Sequence, residues 1–317
     1  MVDGRHPHSH ASYPLNLRLF EVRNSSVLNF AAMDHAEPST VSRLLTSPLV
    51  ECANPIVSLD TISKFPSLIA DLPNPCLIHL SDDVRSPDSA AKRLLRWGSG
   101  DLVRDLAQLL ETKNVAGFSV QYHLPEDLSS SDANIAFGLA REFSTALSRL
   151  HTEFPDVANM AMMYARTRCQ TGMPLHEDFG GASIAERIVR LDREARSTPA
   201  AHGINVFKVS LPITDEELNV VRNELEEAAA QNEIANPPAL IAAGGPAKSE
   251  SMILDNVRRA RRAGWNGVAI GRTYFEADDV GELARKVIDS LFVDQQAVIT
   301  ADDDRTLAVT APAALTE

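Results

Sequence analysis

Short apolar runs that alternate with helical or loop segments limit the fold more than any other feature of this sequence. The runs are continuous rather than alternately polar, which is typical of parallel strands covered on both faces. Eight of them follow one another, at Val27–Asp34, Pro48–Ile56, Pro75–Ser81, Val115–His123, Val157–Ala165, Ile204–Ser210, Ala239–Gly245 and Gly267–Gly271. Eight strand–helix units predict the α/β class and a (β/α)8 TIM barrel.

The segments between the runs favour the same fold. One helical stripe is formed by Ile135, Leu139, Phe143, Leu147 and Leu150. Thr214 and Glu217 have the spacing of a capping box at a helix start, and Gly264 has the position of a helix stop. An open, doubly wound sheet is the alternative, but no G-x-G-x-x-G motif follows the first run.

The barrel is predicted to be a single domain over residues 25–292, between a flexible N-terminal arm (1–24) and a C-terminal tail (293–317). The arm contains His6, His8 and His10, which alternate along the chain and could hold a metal ion. Without further ligands nearby, a solvated arm is the better interpretation.

Composition narrows the class of partner. With 44% hydrophobic and 23% charged residues, the chain has the composition of a soluble globular protein. Its net charge of −13 argues against nucleic acid or an anionic membrane as a partner. The cysteines, Cys52, Cys76 and Cys169, imply no disulfide framework, and the first two are predicted to be buried thiols in strands. No apolar stretch has the length of a membrane span and the N-terminus lacks a signal pattern, so a cytoplasmic location is expected.

Lys208 is the only charged residue in the sixth run, which predicts a buried strand. Burying an ammonium group is costly unless the group is paired or loses its proton. A desolvated lysine with a lowered pKa is also what imine chemistry requires, because only the neutral amine attacks a carbonyl. A structural ion pair, or a lysine at the end of the strand, is the alternative interpretation.

The last two runs end in turns suited to an anion. Gly244 and Gly245 close the seventh run, and Gly271 and Arg272 close the eighth. Glycines let the backbone approach a ligand closely, and the arginine can bind phosphate in a bidentate manner. In TIM barrels the phosphate site commonly lies after these two strands. Ordinary turns with a solvated arginine are the alternative.

Other polar residues fall at the carboxyl ends of predicted strands, where barrels carry their functional groups. They are Asp34, His35, His79, Gln121, His123 and Tyr164. Asp34 could instead cap a helix, Tyr164 could be a core aromatic residue, and His79 and His123 could be hydrogen-bonded barrel residues. Otherwise the three histidines are candidates for contacts with the substrate or its phosphate.

The sequence resembles the archaeal-type class I fructose-bisphosphate aldolases over Val27–Phe275. The resemblance rests on Ala32-Met-Asp-His35, Ala161-Met-Met-Tyr164, Asn205-Val-Phe-Lys208, Ile241-Ala-Ala-Gly-Gly-Pro246 and Val268-Ala-Ile-Gly-Arg272. The chain departs from the family after His35, where Ala36 replaces the usual glycine, and after Tyr164, where the usual proline-containing turn is absent.

This resemblance implies a TIM barrel in which Lys208 forms a Schiff base, Tyr164 acts as acid–base and Asp34 assists. It also implies phosphate binding at the Gly244–Gly245 and Gly271–Arg272 turns, no metal or other cofactor, and assembly into homo-oligomers. The implied reaction breaks or forms a C–C bond in a phosphorylated ketose or a dihydroxyacetone-phosphate-type substrate.

Two other functions stay open. A metal-dependent aldolase would use His35, His79 and His123 as zinc ligands, which leaves Lys208 unexplained. A catalytically degenerate barrel would only bind a phosphorylated ligand or serve as a scaffold.

Overall fold

The structure is a computed structural model that describes residues 15–22, 27–34, 36–80, 101–125, 127–165, 181–197, 203–211, 214–232, 234, 237–244 and 249–292. Eight parallel strands hydrogen-bond in chain order into a closed barrel, which confirms the predicted fold. They are β1 (Leu28–Ala32), β2 (Asn54–Ser58), β3 (Cys76–His79), β4 (Val115–Leu124), β5 (Ala158–Ala165), β6 (Val206–Ser210), β7 (Ala239–Ala243) and β8 (Gly267–Ile270).

Helices follow the strands and cover the outside of the barrel. They are α1 (Pro38–Leu45), α2 (Leu49–Cys52), α3 (Leu59–Lys64), α4 (Pro66–Ala70), α5 (Leu102–Leu110), α6 (Ser131–Leu150), α7 (Gly181–Ala195), α8 (Asp215–Gln231), α9 (Glu250–Arg262), α10 (Arg272–Glu276) and α11 (280–292). The predicted capping box opens α8, and Gly264, with φ of 77°, follows the end of α9. Among the described helices, none combines the length and apolarity that a membrane crossing requires.

Side chains of each strand alternate between two apolar layers. Phe118, Val120 and Tyr122 of β4 lie in the outer layer, between the barrel and the helices. Phe30, Met160 and Ile241 lie inside the barrel. Burial of each such side chain contributes about 1.5–3 kcal/mol, so the two layers together hold the barrel closed.

The interior is arranged in levels of four residues from alternate strands, because barrel strands are staggered by about one residue per strand. Met160 is the register partner of Ser119 across β4 and β5, and Val206 is the register partner of Met160 across β5 and β6. A stagger of one residue at each step brings Lys208 to the height of Ser119. The Lys208 level therefore consists of Ile56, Ser119, Lys208 and Ala269.

A short 3-10 helix, Leu15–Phe20, closes the amino end of the barrel. Leu17 and Phe20 are fully buried among the interior side chains, and the rings of Phe20 and Phe30 have their centroids 5.5 Å apart. Asn54 Nδ2 donates to the carbonyl of Phe20 over 2.9 Å. The end of the segment predicted as a flexible arm is thus packed, since apolar side chains are needed to fill the barrel base. The division into arm, barrel and tail otherwise stays a prediction.

Three local predictions were wrong. Pro48–Ile56 is not one strand, because helix α2 begins directly after Pro48 and the strand starts at Asn54. Cys52 consequently lies in that helix and is half-buried, although Cys76 is buried in β3 as expected. Ile135 is 46% exposed, since the buried face of α6 runs through its neighbours Ala136 and Leu139 instead.

Candidate active site

Lys208 projects into the barrel interior, where it is 6% exposed. Its neighbour Phe207 belongs to the outer layer and Val206 to the inner one, so the alternation along β6 fixes the direction of the lysine. Burial lowers the pKa of Lys208, and the negative charge of Asp34 raises it by a smaller amount. The pKa of Lys208 is therefore lower than that of a solvated lysine, which favours the neutral amine.

Asp34 and His79 lie near this lysine. Asp34 follows β1, and its side chain is fully buried. His79 ends β3, is 2% exposed, and places Nε2 3.7 Å from Oδ2 of Asp34. Since the pKa of Lys208 responds to the charge of Asp34, titratable groups from β1, β3 and β6 share one buried space.

The wall formed by β4 is polar but neutral. Ser119 and Gln121 are buried and alternate with the outer-layer residues Phe118, Val120 and Tyr122. The Ser119 hydroxyl has no hydrogen-bond partner among the residues that the structure describes. Sequence reasoning missed Ser119, although a polar residue of this alternation in an apolar strand is a signal that could have found it.

Small residues line the side of the barrel interior opposite β4. Ala269 shares the Lys208 level, and Ala32 and Ala243 lie at the next level towards the carboxyl ends of the strands. At the levels below, the same interior is filled by larger residues such as Phe30 and Ile241. The interior side chains near Lys208 are therefore smallest on the side of β7, β8 and β1.

The predicted phosphate turns are described in part. The Gly244 N–H donates to the carbonyl of Ala269 over 2.9 Å, so this N–H closes the barrel rather than facing a ligand. Gly271 precedes α10, and a Cβ there would lie 2.9 Å from the carbonyl oxygen of Ala32. Arg272 is exposed at the first position of α10, beside the barrel mouth. Gly245 lies outside the described residues.

For the remaining candidate residues, the structure describes only the backbone or does not describe the residue. Tyr164 and His123 are register partners near the carboxyl ends of β5 and β4. Their side chains lie outside the described part of the structure, as does His35. Within the described ranges, no group of three or more His, Cys, Asp or Glu side chains is placed to hold a metal ion.

Neither a protein-family model nor a curated protein sequence matches this chain. Several solved structures are similar to this chain. A Schiff-base-forming fructose-1,6-bisphosphate aldolase superposes with a TM-score of 0.55 at 13% identity, over 87% of this chain and 98% of that one. A fructose-bisphosphate aldolase from Slackia heliotrinireducens gives 0.57 at 16% identity, over 95% and 92%.

This chain has the fold of a Schiff-base aldolase. An archaeal fructose-1,6-bisphosphate aldolase, whose catalytic lysine carries the carbinolamine intermediate, gives a TM-score of 0.55 at 13% identity, over 87% of this chain and 98% of that one. The resemblance inferred from the sequence is thus confirmed for the fold. At such identities the fold is what the likeness establishes, so the chemistry of the aldolase-type barrel depends on its own side chains.

Proposed function

We propose that the protein is a class I aldolase that cleaves or forms a C–C bond in a phosphorylated ketose or a dihydroxyacetone-phosphate-type substrate. One observation carries the proposal. Lys208, the interior lysine of β6, is buried at the level of Ser119 and Ala269, and burial lowers its pKa. A water-excluded amine whose pKa is lowered by burial is suited to imine formation.

The proposed reaction starts at Nζ of Lys208. The neutral amine attacks the ketone carbon, and the proton that the attacking nitrogen loses passes to the carbonyl oxygen, which becomes the hydroxyl of a carbinolamine. This hydroxyl leaves as water with a proton from an acid, a role that we assign to Asp34 in its protonated form, and an iminium remains. The iminium accepts the electron pair of the C–C bond as that bond breaks. Tyr164, by resemblance, takes the proton of the hydroxyl whose carbon becomes the aldehyde.

The phosphate group is assigned to the mouth of the barrel near β7 and β8. Arg272 is exposed there and can form a charge-assisted pair with phosphate. Gly271 brings the backbone after β8 close to that of β1, and Gly244 lies against the backbone at the end of β8. Gly245, which follows it in the sequence, is proposed to belong to the same phosphate site. His35 and His123 are proposed to contact the substrate at this end. No metal or other cofactor enters the proposal, and homo-oligomer assembly and a cytoplasmic location remain predictions.

Borohydride trapping tests this function. Dihydroxyacetone phosphate and fructose 1,6-bisphosphate are each incubated with the protein, the imine is reduced, and the modified peptide is identified by mass spectrometry. We expect an adduct on Lys208 in the wild-type protein and none in Lys208→Arg, because guanidinium does not form the imine. Lys64→Arg makes the same change at an exposed lysine of α3 and should leave the adduct intact.

Two results would overturn the proposal. Activity that is lost with a chelator but kept in Lys208→Met would indicate the metal-dependent aldolase. Stabilisation by sugar phosphates without turnover or trapping would indicate a binding barrel.

A further inference from the structure

We propose that His79 is a positioning residue that acts through Asp34 and thereby favours the free amine of Lys208. The inference rests on the proposed function, since it assigns His79 a task in imine formation rather than contact with the substrate. Two features of the barrel carry it: the distance between His79 and Asp34, and the level at which His79 lies.

The contact is enclosed by the barrel. His79 Nε2 and Asp34 Oδ2 are 3.7 Å apart, and the side chains are 2% and 0% exposed. This distance lies within ion-pair range and beyond a direct hydrogen bond, and such contacts in a ligand-free site can tighten when substrate binds. With so little water nearby, the charge of either group is felt strongly by the other.

His79 lies between the lysine and the carboxylate along the barrel axis. It shares a level with Ala32, Met162 and Ala243, directly above the Lys208 level. Asp34 comes after the end of β1, closer to the mouth. A lysine side chain that extends towards the mouth therefore passes the level of His79 before it reaches Asp34.

This arrangement determines whether the Asp34 carboxylate interacts mainly with His79 or with Lys208. A buried carboxylate whose main neighbour is Lys208 holds the lysine as an ammonium, which cannot attack a ketone. Lys208, Asp34 and His79 are the titratable side chains among the described interior residues, and the β4 wall adds the neutral Ser119 and Gln121. An imidazole N–H that donates to Oδ2 partly neutralises the charge of Asp34. The carboxylate then stabilises the ammonium form of Lys208 less, and its side chain is held in one orientation.

The test is the rate of borohydride-trapped imine formation with dihydroxyacetone phosphate in a double-mutant cycle. His79→Leu should slow trapping roughly 100-fold, the cost expected when a supporting residue is lost. In an Asp34→Asn background, His79→Leu should give no further loss, because the residue acts through the carboxylate. Circular dichroism and thermal unfolding of each variant report whether the barrel is intact.

A conservative pair keeps the test decisive if His79→Leu does not fold. His79→Gln places an amide N–H near the position of Nε2, whereas His79→Asn places it near Nδ1. We expect His79→Gln to keep most of the trapping rate and His79→Asn to lose it. Equal rates in these two variants, or an equal loss from His79→Leu with and without Asp34→Asn, would overturn the inference. Absence of any adduct in the wild-type protein would instead refute the proposed function.

Discussion

Ser119 on β4 and Lys208 on β6 lie at the same level of the barrel interior. The serine hydroxyl is fully buried and has no hydrogen-bond partner among the described residues. A buried hydroxyl without a partner costs about 1–3 kcal/mol, so Ser119→Ala should raise the free energy of unfolding by about 1 kcal/mol. Urea unfolding measures this change.

A matched variant separates stability from function at this position. Ser144 of α6 is equally buried, also without a hydroxyl partner among the described residues, but it lies outside the barrel. Ser144→Ala should change stability in the same direction and leave imine trapping unaltered. Ser119→Ala should weaken the binding of dihydroxyacetone phosphate. Equal rates of imine trapping in the two variants would show that the Ser119 hydroxyl does not contact the ligand.

Lys208→Met should make the protein more stable as it removes activity. Folding must desolvate the lysine, and methionine of similar length carries no such cost, so we expect a gain of about 1–2 kcal/mol near neutral pH. Because the pKa of Lys208 is lower in the folded state, the unfolded chain binds more protons and wild-type stability rises with pH. The advantage of Lys208→Met should therefore shrink as the pH rises towards about 10.4, the pKa of a solvated lysine.

Urea unfolding of both proteins over this pH range checks the sign. An advantage of Lys208→Met that grows with pH would mean that burial does not depress the pKa of the lysine. Lys64→Met, at an exposed position, should give little change at any pH.

Gly267 should tolerate no side chain. A Cβ at this position in β8 would overlap the carbonyl oxygen of Leu28 in β1. Gly267→Ala must push two paired strands apart and should cost about 3 kcal/mol or prevent folding. Gly138→Ala is the control, since the nearest atom to a Cβ in that helix is Arg141 Nη2 at 3.9 Å. It should increase stability by up to about 1 kcal/mol in thermal unfolding. Similar melting temperatures for the two variants would show that β1 and β8 are not packed too closely at Gly267 to admit a side chain.

Arg187 should not be replaceable by lysine. It is buried on α7, and its guanidinium donates to the carbonyls of Pro125 and Ser183, each over 2.9 Å. Lysine cannot supply both donors in that geometry, so Arg187→Lys should lose about 2 kcal/mol. Arg258→Lys, at an exposed ion pair with Asp255, should change stability by less than about 0.5 kcal/mol. Chemical denaturation distinguishes the two, and equal losses would be inconsistent with a structural role for the buried guanidinium.

The thiols of Cys76 and Cys52 should differ in reactivity. Burial raises the pKa of Cys76 to about 12, so almost no thiolate is present in mildly alkaline buffer. Cys52 is half-buried and should be alkylated first. Timed iodoacetamide labelling with peptide mass spectrometry measures both, and urea should make Cys76 reactive. Rapid labelling of Cys76 in the folded protein would show that β3 opens locally.

The barrel could be predicted from sequence because parallel strands covered on both faces give uninterrupted apolar runs. The boundaries were less secure where two elements meet without a polar break. Leu49–Cys52 and Asn54–Ser58 form a helix and a strand within one apolar stretch, and only the position of Pro48 hints at the change.

The sequence indicates a candidate site where a residue differs in polarity from its surroundings. Lys208 contradicts an apolar strand, and Asp34 and His79 are polar residues at strand ends. Ser119 was not predicted because a single serine in a strand has no distinctive sequence pattern. It is a candidate because it shares a level with Lys208, which lies almost ninety residues later, roughly the span of two strand–helix units. The distance between Asp34 and His79 depends on the curvature of the barrel, which turns these two side chains from β1 and β3 towards the same interior.

Leu17 and Phe20 fill the amino end of the barrel, so among the described residues the approach to Lys208 is from the carboxyl ends of the strands. Under the proposed function, the substrate and both products would pass through that end. After C–C cleavage the aldehyde would no longer be bonded to the protein, whereas the ketone would stay bonded to Lys208 until water hydrolyses the imine. We therefore expect the aldehyde to leave before the ketone.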